Sequence, residues 1–245
     1  MSITSETDWR GLREVGRVVG LTLDLLARHT RPGVTTAALD RLARDLFGLH
    51  RARSAPAFTY GFPGTVLISV NDEIVHGIPG PRRLEAGDIV KLDVTAEKDG
   101  YIADAARTVV LAGAPDIVRK LAACAEQAFA AALPVARAGN KVNEIGRAVE
   151  RVVSGCGFSV VRSLEGHGVG RTIHEPPNVP NWCNPRQKDV LREGMVLTIE
   201  PLIAAGGGEA YEDRDGWTIR TSDGSLAAHH EHTLVITSGA PVLLT

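Results

Sequence analysis

The residues that most constrain this chain run from Leu92 to Asp104, Leu-Asp-Val-Thr-Ala-Glu-Lys-Asp-Gly-Tyr-Ile-Ala-Asp. An Asp-Gly pair between two runs of strand-forming residues is the strongest short-range hairpin signal a sequence carries. With Asp99-Gly100 as the two-residue turn, Lys98 faces Tyr101 and the numbers of paired residues sum to 199. Asp93 then faces Ala106, and Asp104 is its diagonal neighbour on the same face. Diagonal neighbours in an antiparallel pair sit about 7–8 Å apart, close enough for two carboxylates to share an ion. Ile89, Val90, Leu92 and Val94 around them are core residues by type. Two unpaired carboxylates buried in such company cost several kcal/mol each, so a buried pair requires a cation. The alternative is two solvent-facing aspartates on an exposed sheet face.

The rest of the chain bounds the setting. Its 245 residues suit one large domain or two small halves. A hydrophobic content of 44% with a net charge of −2 describes an ordinary soluble globular protein. No basic run exceeds two adjacent residues, which argues against a nucleic-acid partner. The polar, acidic start from Met1 to Asp8 lacks the pattern of a signal peptide. No apolar run approaches about 18 residues, so no membrane span is expected. Cys124, Cys156 and Cys183, odd in number and widely spaced, read as reduced thiols in a cytoplasmic protein.

Periodicity places the elements. Trp9, Leu12, Val15, Val18, Val19, Thr22, Leu25 and Leu26 mark an amphipathic helix ended by Pro32-Gly33. A second helix starts at Thr35 or Thr36 as N-cap, with Leu39, Leu42 and Leu46 on its buried stripe. Ser54 to Gly64 reads as loop. Val66 to Val70 and Glu73 to His76 read as two extended runs around a turn. Further helices are expected from Asp116 to about Leu133 and from Val142 to Val153, the latter stopped by Gly155 and Gly157. The last third is strand- and loop-rich, with runs at Met195–Ile199, Trp217–Thr221 and His230–Ile236. A weak repeat at an offset of 106 lays Arg31–Arg41 over Arg137–Arg147. Both halves run helix, helix, strands, and two such halves would enclose a cleft between their sheets, where sites form.

Three more stretches carry chemistry. In Gly166-His167-Gly168-Val169-Gly170 the glycines let the backbone around His167 pack closely against another group. The Gly-x-Gly is no dinucleotide fingerprint, because it lacks the strand-to-helix setting. Glu200 ends an apolar strand before Pro201, and Glu231 stands on another, His230 to Ile236. Taken singly, His167 reads as a structural histidine, and each glutamate fits an exposed strand end as well as it fits a ligand. Together, two Asp, one His and two Glu make a hard, oxygen-rich ligand set whose four carboxylates balance two divalent cations. Such ligands suit Mn, Fe, Co or Zn.

Asp93, Asp104, His167, Glu200 and Glu231, in that order, resemble the metal-ligand set of the methionine aminopeptidases. So do Ser69-Val70-Asn71-Asp72-Glu73-Ile74-Val75-His76-Gly77-Ile78-Pro79, the Gly166–Arg171 stretch, and Trp217-Thr218 ahead of Glu231-His232-Thr233. The resemblance runs from about Trp9 to Thr237 and is to the short bacterial type I enzymes. There is no room for the helical insertion of type II or for the extra N-terminal domain of prolidases and aminopeptidase P. It implies one α/β catalytic domain of pita-bread fold over residues 1–245, its pseudo-twofold αβ halves at about 9–110 and 111–237, with antiparallel sheets around a dimetal site.

The resemblance also implies roles. Asp104 and Glu231 would bridge two divalent metal ions (Co, Mn, Fe or Zn), Asp93 would bind one, and His167 with Glu200 the other. The metals would acidify a shared water, and Glu200 would relay its proton. His76 would contact the scissile amide, and His174 would donate to the carbonyl oxygen as it gains charge. The substrate would be a peptide or nascent-protein N-terminus beginning with methionine and followed by a small residue, met at the ribosome by a cytoplasmic monomer. Phe62, Leu67, Ile173 and Trp217 are expected to form the methionine pocket, with Thr59 at its rim. The sequence departs from the family here: Pro56, Thr59, Phe62 and Leu67 stand where Tyr or Cys is frequent, Ile173 replaces a Phe, and His229 stands where Gln is usual. These departures bear on substrate preference. A pita-bread aminopeptidase of other N-terminal specificity, and a silent pita-bread protein that only binds peptides or partners, are the alternatives.

Overall fold

The computed structural model describes all residues from Met1 to Thr245. Two long helices open the chain, α1 (Glu6–His29) and α2 (Thr36–His50). Ser5 caps the first and Thr35 the second, each hydroxyl accepting the amide of the residue three positions on. Next come β1 (Arg53–Ser54), α3 (Ala55–Tyr60), β2 (Leu67–Val70) and β3 (Glu73–Val75). The Ser54–Gly64 stretch expected as loop thus holds a short helix. Ser54 caps it, Pro56 sits in its first turn where no amide hydrogen is needed, and Gly61 closes it in the left-handed region at φ 76°. A six-residue helix is too short for an apolar period to show, so only its caps mark it.

The hairpin follows as β4 (Ile89–Lys98) and β5 (Tyr101–Val110) in the expected register, Lys98 opposite Tyr101 and Asp93 opposite Ala106. Asp99 and Gly100 turn the chain with φ of 53° and 81°, as a tight primed turn requires. Then come α4 (Asp116–Ala132), a 3-10 turn at Leu133–Val135 and α5 (Val142–Gly155). The remaining strands are β6 (Ser159–Val160), β7 (Glu165–Gly168), β8 (Glu175–Pro180), β9 (Val196–Ile199), β10 (Leu202–Ala204), β11 (Ala210–Glu212), β12 (Ile219–Thr221), β13 (Ala227–His229), β14 (Glu231–Val235) and β15 (Val242–Leu243).

The main sheet runs β1-β4-β5-β14-β9-β7-β8, with β2 beside β4 and β15 beside β14. Two three-stranded sheets, β13-β10-β6 and β11-β12-β3, complete the strand set, and every pairing is antiparallel. Apolar burial is concentrated in two large clusters. One joins Leu12, Leu23 and Leu39 of the first two helices to Leu92 and Val94 of β4. The other joins Leu121 and Val149 of α4 and α5 to Leu197 and Leu234 of β9 and β14. The two meet where β5 pairs with β14, at Ala106–Glu231 and Ala105–His232. No helix is long and apolar enough to cross a membrane.

Candidate metal centre and substrate cleft

Each acidic or imidazole group singled out above reaches one cleft from a different strand. Asp93 comes from β4, Asp104 from β5, His167 from β7 and Glu231 from β14, while Glu200 follows β9 directly. The cleft has a volume of about 160 Å³ and is also lined by His76, His174, Phe62, Leu67, Ile173 and Trp217, so all eleven expected site residues share it. Thr59 does not line it; its neighbour Tyr60 does.

The backbone around His167 is held by glycine. A Cβ on Gly166 would lie 2.7 Å from the Thr198 carbonyl oxygen, so only glycine lets β7 lie this close to β9. The Thr198 hydroxyl accepts the His167 amide at 3.1 Å and donates to Glu200 Oε1 at 3.0 Å, fixing two site residues at once. His167 Nδ1 donates to the Gly168 carbonyl at 3.0 Å, which leaves Nε2 as the free acceptor nitrogen. That nitrogen lies 3.6 Å from Glu200 Oε1 and 4.0 Å from Asp104 Oδ2. Asp104 is held in turn by the Thr95 hydroxyl, which donates to Oδ1 at 2.9 Å, and by Thr233, which bonds its amide and carbonyl.

The electrostatics of this cluster are unbalanced without a cation. Burial, then the charges of Asp104 and Glu200, push the Asp93 carboxyl well above its ordinary range. Burial and Asp104 do the same to Glu200, and burial with all three other carboxylates to Glu231. Asp104 is pushed up to about 7 by burial against the hydrogen bonds that oppose it. Asp93 Oδ1 and Glu231 Oε1 are enclosed and have no hydrogen-bond partner. Four carboxylates in one pocket with orphaned oxygens are what a cation site needs and what a plain hydrogen-bonded core avoids.

Two overlapping triads have donor atoms mutually within 4.8 Å, Asp104-His167-Glu231 and Asp93-His229-Glu231. Glu231 is common to both. Glu200 falls outside both triads but faces His167 at the distance given above. The donor set of the sequence therefore fits divalent metal, and it includes a residue, His229, that the sequence reading placed only among departures from the family.

Two further imidazoles face the metal cluster. His76 follows β3 with φ 60°, a left-handed conformation that costs a non-glycine residue about 1–3 kcal/mol and recurs at functional positions. Gly77 holds it there, donating its amide to Ser69 Oγ at 3.0 Å and accepting the Ile68 amide at 2.9 Å. Burial, then the neighbouring His174, push His76 down to about 4, so its ring is neutral at pH 7. His174 packs edge-on against His167 with centroids 4.4 Å apart, and its Nδ1 lies 2.7 Å from the Tyr60 hydroxyl. Tyr60 was missed because nothing local distinguishes it; only the fold of α3 brings it to His174. On the apolar side Phe62 meets Trp217 edge-to-face, centroids 5.2 Å apart.

Similarity to known proteins agrees with this geometry. The chain is 40% identical over 247 residues to methionine aminopeptidase 2 of Bacillus subtilis, covering 100% of this chain and 99% of that protein. The crystal structure of methionine aminopeptidase from Rickettsia prowazekii superposes with a TM-score of 0.95 at 35% identity, each chain covered in full. A prolidase from Pyrococcus furiosus superposes with a TM-score of 0.79 at 22% identity, over 99% of this chain and 65% of that one, which speaks for the fold alone. The fold shared with these two structures is the pita-bread α/β fold. The sequence profile of metallopeptidase family M24 matches residues 10–238, and the chain belongs to that family.

Proposed function

We propose that this chain is a metal-dependent aminopeptidase that removes an N-terminal methionine when the second residue is small. The observation that carries the reading is the floor of the cleft. Three buried carboxylates (Asp104, Glu200, Glu231), the half-buried Asp93 and buried His167 converge there, with Asp93 Oδ1 and Glu231 Oε1 left without a partner, beside an apolar wall of Phe62, Leu67, Ile173 and Trp217.

In the proposed site Asp93, Asp104, His167, Glu200 and Glu231 would hold two divalent cations (Mn, Co, Fe or Zn), with Asp104 and Glu231 common to both, Asp93 serving one and His167 with Glu200 the other. When bound, the cations supply Lewis acidity to the scissile carbonyl and make a water nucleophilic at neutral pH. The remaining steps belong to side chains. Glu200, its carboxyl held high by burial and by Asp104, is suited to take a proton and pass it on. His174 donates to the carbonyl oxygen as charge develops, with Tyr60 fixing its ring. His76 approaches the scissile nitrogen and assists its departure. The apolar wall takes the unbranched methionine side chain, while the crowding of His76 and His174 restricts the next residue to Gly, Ala or Ser.

The two helix-backed cores support pseudo-twofold halves at about residues 9–110 and 111–237 within one catalytic domain. The site of action we propose is the cytoplasm, on nascent chains leaving the ribosome, by a monomer.

The test is turnover of Met-Ala, Leu-Ala and Met-Leu peptides by enzyme loaded with a single metal, Mn or Co. We expect Met-Ala to be cut fastest. An apolar pocket discriminates by about 1–3 kcal/mol per methylene-sized difference, so Leu-Ala should lag about tenfold or more. Equal rates on Leu-Ala and Met-Ala would defeat the methionine assignment. Absence of any cleavage with either metal would favour a peptide-binding protein.

A further inference from the structure

His229 ends β13, separated from the start of β14 by His230 alone, and it is 1% exposed. Its backbone is clamped on both sides by Thr108, whose hydroxyl accepts the His229 amide at 2.9 Å and donates to the His229 carbonyl at 2.7 Å. The ring therefore has a fixed origin, yet neither ring nitrogen has a hydrogen-bond partner. An imidazole buried with both nitrogens unpaired loses its hydration without replacement, which a folded protein tolerates only where something else fills the role. The surroundings indicate what does. His229 Nε2 lies 3.7 Å from Glu200 Oε2 and 3.6 Å from Glu231 Oε2, too far for hydrogen bonds. A ring nitrogen of His229, an oxygen of Asp93 and an oxygen of Glu231 lie mutually within 4.8 Å, and Asp93 Oδ1 and Glu231 Oε1 are themselves unpaired.

We propose that His229 is a sixth metal ligand, donating a nitrogen to the cation held by Asp93 and Glu231. The pair of cations then has one imidazole each, His167 beside Asp104 and His229 beside Asp93, with Glu231 shared. A ligand set of four carboxylates and two neutral imidazoles still balances two divalent charges. The added nitrogen shifts the Asp93 side toward metals that favour imidazole, such as Co, Fe and Zn, over Mn. The inference rests on the metal reading of the site but is separable from it.

The experiment uses the full chain, stripped with chelator and titrated with Co(II), followed by calorimetry and by proton NMR. An imidazole bound to Co(II) shows its remaining ring N–H as a strongly shifted, solvent-exchangeable signal. Wild type should bind two Co(II) and show two such signals, each split when histidine is labelled with nitrogen-15. His229→Gln should lose one signal and weaken one of the two binding steps on the order of tenfold or more, leaving the other near its original strength. His167→Gln should lose the other signal. Two bound Co(II) with only one imidazole signal in wild type would overturn the assignment, even if no variant folded. So would a His229→Gln protein that keeps both signals. No Co(II) binding at all would overturn the metal reading itself, and this inference with it.

Discussion

Single hydroxyl groups set the accuracy of the site. Thr198 Oγ1 touches both the His167 amide and Glu200, so it orients a nitrogen ligand and a carboxylate together. Thr198→Val keeps the volume and removes both bonds. We expect metal affinity to fall about 10–100-fold, read by titration calorimetry with Mn or Co, because partners that orient ligands carry that much. Fully retained affinity would show that strand packing alone positions the pair. Tyr60→Phe tests the other shell. It deletes the hydroxyl at His174 and leaves the metal cluster untouched. One hydrogen bond is worth about 1 kcal/mol, so kcat on a Met-Ala peptide should fall about fivefold with KM nearly unchanged. A change confined to KM would make Tyr60 a binding residue.

Whole elements were legible in the sequence to the extent that their chemistry is local. The hairpin was readable because Asp99-Gly100 dictates its own turn, and that turn fixes where Asp93 and Asp104 point. The long helices were readable from their apolar period, from Thr35 at the start of α2 and from Gly155 and Gly157 at the end of α5. The Ser54–Gly64 helix was not, because six residues carry no period. Its turn brings Tyr60 to His174, whereas Thr59, one position and about 100° away around the helix, does not line the cleft. His229 was visible only as a departure from a pattern; its orphaned ring follows from where β13 and β14 place it. Lys91 is a further buried group that sequence hides. It is the third residue of β4, 1% exposed, its ammonium donating to the Asn71 carbonyl at 2.8 Å. Burial pulls its pKa down to about 7 against the opposing charges of Glu73, Asp72 and Asp88, with Arg82 reinforcing the fall. In the unfolded chain it returns to about 10.4. Between those values the unfolded state binds more protons than the folded one, so this group adds stability as pH rises from about 7 to 10.4. Denaturant unfolding of wild type and Lys91→Met across that range should show the difference moving in favour of wild type with rising pH. A flat difference would mean that the lysine stays charged in its strand.

At the scale of the molecule the candidate ligands divide along the same line as the hydrophobic core. Asp93 and Asp104 ride on the hairpin that packs against α1, whereas His167, Glu200 and Glu231 belong to the part backed by α4 and α5. Direct pairing between the two parts of the sheet at β5 and β14 is short, two residue pairs long. Metal binding on the proposed reading therefore adds a further tie between two parts already joined by the short β5–β14 pairing, the β12–β3 pairing and shared apolar contacts at Val196 and Val235. Anything that binds the folded state alone stabilises it by about 2.7 kcal/mol at a free concentration 100 times its Kd. Added Mn or Co should accordingly raise Tm, and chelator should reverse the rise. The distribution of the effect is the sharper test. Hydrogen exchange should slow on metal binding in α1 and β5 as well as in β9 and β14, because neither part can open without releasing ligands held by the other. Leu23→Ala in the first cluster should lower the starting Tm, costing about 2–5 kcal/mol for a buried leucine, yet leave the metal-induced increment intact. Asp104→Ala should remove most of that increment. Protection gained on only one side of the β5–β14 junction would show that the metal centre belongs to one half and does not join the two.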